Sequence, residues 1–159
     1  MPAEMARENV RHARTKMGAA IALREAIRGE GARYQAFVGG MLVGAGAYGA
    51  FIPDALVCPP QSPDAVVIYD PLIVVEVLSP STAPVDHGIK LEGYFSLPSV
   101  EHYLILDPDG RMLIHHARGE DELILTRILR DGALRLEPPG LDLRVEDLFG
   151  PAEEGAAQV

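Results

Sequence analysis

The stretch Leu72-Ile73-Val74-Val75-Glu76-Val77-Leu78 is apolar at every position but one. It is short, rich in β-branched residues and preceded by the turn pair Asp70-Pro71, so it reads as a strand rather than a helix. A strand with no polar face is covered on both sides, which places it in the middle of a sheet. Glu76 is thereby taken out of water. A buried carboxylate left unpaired costs several kcal/mol (roughly), so such a group is paired, protonated or bound to a metal. The purely structural alternative is an ion pair to an arginine such as Arg24.

Outward from that strand the period of the pattern changes. Towards the N-terminus, Phe51–Val57 reads as a strand, with Ala65–Tyr69 a short edge strand after the turn-rich Pro59–Asp64. Tyr34–Val38 and Met41–Tyr48 are further strand candidates around the Gly39-Gly40 turn. The segment Arg7–Arg28 has helical spacing, with Val10, Ala13, Met17, Ala20 and Ile21 on one stripe and Arg7, Arg11 and Arg14 on another. Gly29 and Gly31 are its candidate stops.

Towards the C-terminus, Asp86–Phe95 reads as a short helix and Val100–Leu106 as a strand closed by Asp107-Pro108-Asp109-Gly110. Met112–Ala117 and Leu123–Leu129 read as an antiparallel pair, to which Ala133–Leu136 adds a third strand. The expected fold is α/β (α+β), a mixed central sheet flanked by helices. Residues 1–150 are expected to form a single domain, with a loose tail over 151–159.

Composition narrows the function. Cys58 is the single cysteine of the 159 residues, so no internal disulfide and no cysteine-based zinc cluster forms. The N-terminal segment has no apolar signal core, and the longest apolar run is far too short to span a bilayer. A cytoplasmic protein with no membrane partner is expected. The 14 Lys and Arg against 23 Asp and Glu give a net charge of −9, which disfavours nucleic acid as a partner, since such proteins are usually basic. The basic groups are unevenly spread, however. Residues 1–33 carry seven Lys or Arg and four Asp or Glu, so any nucleic acid must meet that segment, a second subunit or a metal.

Three residues have the chemistry of a site. Asp54 follows Pro53 between two apolar dipeptides. Alone it is an ordinary turn residue. Paired with Glu76 it offers two hard oxygen donors, the set that Mg2+ or Mn2+ takes, with water and phosphate oxygens completing the shell. Lys90 shares a helical face with Asp86 and Tyr94, each four residues from it. An ammonium there stabilises developing phosphate charge, or else simply pairs with Asp86. His115 and His116 fall on opposite faces of a strand and cannot bind one metal together. No nucleophile triad and no phosphate-cradling glycine loop is present.

These residues carry a family resemblance. Ile52-Pro53-Asp54-Ala55-Leu56-Val57-Cys58, then Val74-Val75-Glu76-Val77-Leu78-Ser79-Pro80-Ser81-Thr82, then Asp86, Lys90 and Tyr94, resemble the Uma two family of restriction-endonuclease-like proteins, as do His12 and Tyr103–Pro108. The resemblance covers roughly residues 9–149 and implies the PD-(D/E)XK nuclease superfamily. On that pattern Asp54, Glu76 and the Val77 carbonyl would be the metal ligands, for Mg2+ or Mn2+. Asp54, Glu76 and Lys90 would be catalytic, supported by Asp86 and Tyr94. The superfamily's lysine two residues after the second acid is replaced here by Leu78, and the resemblance implies that Lys90 takes its place from the following helix.

Three functions stay open on the sequence: a metal-dependent endonuclease, a degenerate binding or assembly module, and a hydrolase of a small phosphoester. A homodimer is expected, with no surface assigned to it.

Overall fold

The computed structural model describes residues 8–31, 33–79 and 84–151. Helix α1 (Val10–Glu30) is followed by strands β1 (Gln35–Val38), β2 (Leu42–Gly44), β3 (Ala50–Phe51), β4 (Ala55–Cys58), β5 (Val67–Ile68) and β6 (Ile73–Val77). Helix α2 (Pro84–Phe95) then leads to β7 (His102–Asp107), β8 (Met112–Arg118), β9 (Ile124–Leu129), β10 (Ala133–Leu136), β11 (Leu141–Arg144) and a closing 3-10 turn over Val145–Phe149. The architecture is mixed α/β.

Among the described residues the main sheet has the order β1-β4-β6-β7-β8-β9. Strand β6 is central, as its two-sided apolar pattern requires, with Ile73, Val74 and Val75 wholly buried. Its pairing with β7 is parallel, Val75 opposite Leu104 and Val77 opposite Leu106, because α2 carries the chain back between them. The other pairs in this sheet are antiparallel.

Each face of the sheet has its own core. Ala55, Val57, Val75, Val77 and Leu104 point to the side of α1, where β10, β11 and the closing turn also pack. Leu56, Val74, Tyr103 and Ile105 point to the other side, against Tyr94 of α2. A small sheet in the order β3-β2-β5 joins that second face, with Phe51 tilted against Tyr94 at a ring separation of 5.2 Å.

Helix α1 begins where Asn9 accepts the His12 N–H at 2.8 Å, a side-chain cap. It ends at Gly31, whose φ of 64° is the left-handed stop that glycine adopts without strain. Its packing stripe differs from the sequence expectation. Val10, Met17 and Ile21 are about half exposed or more, while Thr15, Gly18, Ala19, Ala20, Leu23 and Ile27 are buried. Small residues allow close approach, and a Cβ on Gly18 would stand 2.5 Å from the Gly150 backbone nitrogen. The closing turn therefore rests directly on the helix.

Three strand boundaries also shift. The expected strand Phe51–Val57 is two strands broken at Ile52–Asp54, and Met41–Tyr48 is only β2 followed by a 3-10 turn over Gly46–Tyr48. Ala133–Leu136 does not extend β8 and β9; it forms a separate hairpin with β11. The tail expected to be loose lies, from residue 152 on, outside the described residues.

Candidate active site

The break at Pro53-Asp54 creates the site. Strand β4 pairs with β6 from Ala55, opposite Val75, so Asp54 stands beside Glu76 at the end of the ladder. Proline cannot donate a ladder hydrogen bond. The chain turns there, and the Asp54 side chain takes over as acceptor. The Val77 N–H donates to Asp54 Oδ2 at 2.7 Å, while the Asp54 N–H donates to the Val75 carbonyl at 2.9 Å.

Glu76 points to the α2 face. Its Oε1 accepts the Tyr94 hydroxyl at 2.7 Å and stands 3.4 Å from Lys90 Nζ. The side chain is 12% exposed, so it is neither open to water nor fully sealed. Burial pushes the Glu76 carboxyl above its usual range, against the pull of Lys90 and the Tyr94 hydrogen bond, and the Asp54 charge pushes the same way. Burial and the neighbouring Glu76 charge also raise the Tyr94 hydroxyl, so Tyr94 remains a donor. Arg24 is not the partner of Glu76.

Asp54 is met from the other face, by α1. His12 Nε2 lies 3.9 Å from Asp54 Oδ2 and Lys16 Nζ 3.9 Å from Asp54 Oδ1. His12 Nε2 also donates to the Val77 carbonyl at 3.1 Å. Its Nδ1 lies 2.6 Å from Glu8 Oε1, which in turn lies 2.9 Å from Lys16 Nζ. The Lys16 ammonium and then His12 hold the Glu8 carboxyl below the usual range. Each acid thus faces one lysine, Asp54 from α1 and Glu76 from α2.

The structure therefore brings together Asp54, Glu76, Val77, Lys90 and Tyr94. Asp86 lies in the first turns of α2, and its side chain falls outside the described residues. Glu8 and Lys16 were not singled out in the sequence, although Glu8, His12 and Lys16 are spaced four apart, the spacing of one helix face.

Among the described residues, no three His, Cys, Asp or Glu side chains gather closely enough to hold a metal ion by themselves. Two carboxylates and a main-chain carbonyl remain at the strand ends. That donor set fits a hard divalent cation, which commonly takes one or two carboxylates and completes its shell with water and phosphate oxygens. His12 engages the Val77 carbonyl, but a carbonyl oxygen has a second lone pair.

Arg11, Arg14, Thr15, Asp109, Arg111 and Phe149 line part of a cleft of about 580 Å³. Arg11 donates to Asp109 at 2.7 Å and Arg111 lies over the Phe149 ring at 5.2 Å. The cleft is continuous in sequence with the site, since Arg11 precedes His12 and the 108–111 turn follows the end of β7 next to Val77.

Two buried histidines, His102 and His115, form another polar cluster with the exposed Arg127. Arg127 Nη2 donates to His115 Nδ1 at 3.2 Å, and His115 Nε2 lies 2.9 Å from His102 Nδ1. His102 Nε2 donates to the Pro138 carbonyl at 2.8 Å. His116 points to the opposite face and meets Thr126, so the alternation read from the sequence holds.

No curated protein matches the chain. Its fold is similar to the crystal structure of a "putative nuclease" from Anabaena variabilis, with a TM-score of 0.71 at 16% identity over 89% of this chain and 82% of that one. A family model described as "Putative restriction endonuclease" matches residues 3–147. The chain belongs to that family, Uma two (Uma2).

Proposed function

We propose that this chain is a Mg2+- or Mn2+-dependent phosphodiesterase of the nuclease kind, with Asp54, Glu76 and the Val77 carbonyl as the metal ligands. The observation that carries this reading is the meeting of Asp54 and Glu76 at the ends of β4 and β6, each faced by a lysine from a different helix. Asp54, Glu76 and the Val77 carbonyl would hold the cation, which would supply Lewis acidity at the scissile phosphate and offset the cost of burying the Glu76 carboxylate.

The chain's own groups have separable roles in this reading. Lys90 stabilises negative charge developing on the phosphate or orients the attacking water. Tyr94 fixes the Glu76 rotamer by its hydrogen bond and keeps the ring side of the carboxylate dry. Asp54 binds and is itself positioned by the Val77 N–H. His12 orients the Val77 carbonyl, and the Glu8–Lys16 pair holds His12. Arg11 and Arg14, on the same helix as His12 and Lys16, support a nucleic-acid substrate despite the acidic net charge.

The test is cleavage of double- and single-stranded DNA, RNA and a small phosphodiester in Mg2+ or Mn2+, for the wild type and for Glu76→Gln. Metal-dependent cleavage of a nucleic acid by the wild type alone, falling steeply with salt, is the expected result. Turnover confined to the small ester, with little salt dependence, would replace nucleic acid by a small phosphoester. No metal-dependent cleavage of any of the four would overturn the reading in favour of a binding module.

A further inference from the structure

Among the described residues, strand β9 is the outermost strand of the main sheet and is exposed over nearly its whole length. Leu125 and Ile128 are 59% and 64% exposed, Ile124 is 38% exposed, and Leu123 just before the strand is 61% exposed. Single exposed apolar groups are normal, but a run of them on a free edge is not. Natural edges are blunted by lysine, proline or a bulge. The segment Ile124-Leu125-Thr126-Arg127-Ile128-Leu129 has neither lysine nor proline, and its register with β8 is unbroken. Its one charged residue, Arg127, is turned back to His115.

The ladder with β8 fixes which backbone groups face outward. The Gly119 N–H donates to the Leu123 carbonyl at 2.7 Å, and the same register continues as Arg118 opposite Ile124 and Ala117 opposite Leu125. Antiparallel pairs alternate between hydrogen-bonded and non-hydrogen-bonded. The odd-numbered residues of β9 therefore bond to β8, and Ile124, Thr126 and Ile128 direct their N–H and C=O groups along the free edge.

We propose that this edge pairs antiparallel with the same edge of a second copy of the chain, with Thr126 opposite the partner's Thr126 on a two-fold axis. Only even-numbered residues can meet even-numbered ones across the joint. In this register Ile124 meets the partner's Ile128, and Glu122 in the preceding turn approaches the partner's Arg130. A slip by two residues in one direction sets Glu122 against the partner's Ile128, and in the other sets Ile124 against the partner's Arg130. The charge complementarity rests on the one pair of Glu122 and Arg130, since Glu122 lies at the entry of β9 and Arg130 at its exit. The acids on β4 and β6 lie further into the sheet, at least three strands from this edge, so the pairing leaves both sites open.

The test uses the full chain. Light scattering should give a dimer. Thr126→Cys supplies one exposed thiol, because Cys58 is buried, and the opposed Cα atoms would lie within disulfide range. Mild oxidation should link Thr126→Cys into a covalent dimer, while Ile124→Cys alone and Ile128→Cys alone stay unlinked and a mixture of the two links. Glu122→Arg should weaken association at least tenfold, and Glu122→Arg with Arg130→Glu should restore it. A monomer at all concentrations, or a dimer that Thr126→Cys does not link while its circular dichroism is unchanged, overturns the proposal.

Discussion

Asp54 and Val77 are joined by a side-chain rung: the carboxylate of one accepts the backbone N–H of the other at 2.7 Å, where the β4–β6 ladder would otherwise end. One acid of the candidate site is therefore also part of the sheet. Its two duties can be separated by substitution. Asp54→Asn keeps an oxygen acceptor and is expected to retain the fold, with a thermal midpoint within a few degrees of the wild type, while cleavage falls by at least about a hundredfold. Asp54→Ala leaves a part-buried N–H without its acceptor and should cost about 1–3 kcal/mol in denaturant unfolding.

Tyr94 separates packing from hydrogen bonding in the same way. Its ring lies against Phe51 and Tyr103, and its hydroxyl donates to Glu76. Tyr94→Phe retains the ring contacts and removes one bond to a charged acceptor, an expected loss of about 1.5–3 kcal/mol. Cleavage should fall but persist, because the ligand atoms remain.

Removing Lys90 should affect metal binding and turnover differently. Lys90→Met removes a positive charge 3.4 Å from Glu76. Divalent-ion affinity is expected to hold or rise, while turnover falls by about a hundredfold or more. A loss of metal affinity in calorimetry, with turnover unchanged, would reverse the role assigned to Lys90.

The buried histidines give a pH signature away from the site. Burial pushes His102 down and His115 down to about 3, aided by His102 and Arg127. Both rings are thus neutral in the fold and titrate near 6.5 when unfolded. Their contribution is complete above that value and is lost as pH falls below it, for His115 down to about 3, by at most about 1.4 kcal/mol per pH unit for each ring. Unfolding free energies measured between pH 7 and 4 should show this slope, and His115→Gln should flatten it.

Much of the frame was legible because it depends on patterns within one segment. A two-sided apolar run marked β6 as central, and a carboxylate inside it marked Glu76 as a group needing partners. A four-residue spacing put Lys90 and Tyr94 on one face of α2, and the family resemblance, rather than the spacing, pointed to Lys90 as a site residue. The contacts across elements were harder to read. Nothing in the α1 stripe reveals that Gly18 and Ala19 pack while Met17 and Ile21 face water, since that depends on the Gly150 backbone lying against the helix. The spacing of Glu8, His12 and Lys16 was visible, but its meaning depends on the break after Pro53, which brings Asp54 within reach of α1. The His102–His115 contact likewise comes from strand pairing and has no signature in local spacing.

The most direct measurement is a calorimetric titration of Mn2+ into the wild type and Glu76→Ala, with circular dichroism on both. One bound ion in the wild type, and none in a folded Glu76→Ala, is the expected result. A folded Glu76→Ala that binds Mn2+ as the wild type does, or a wild type that binds none, would contradict a metal centre at Asp54 and Glu76.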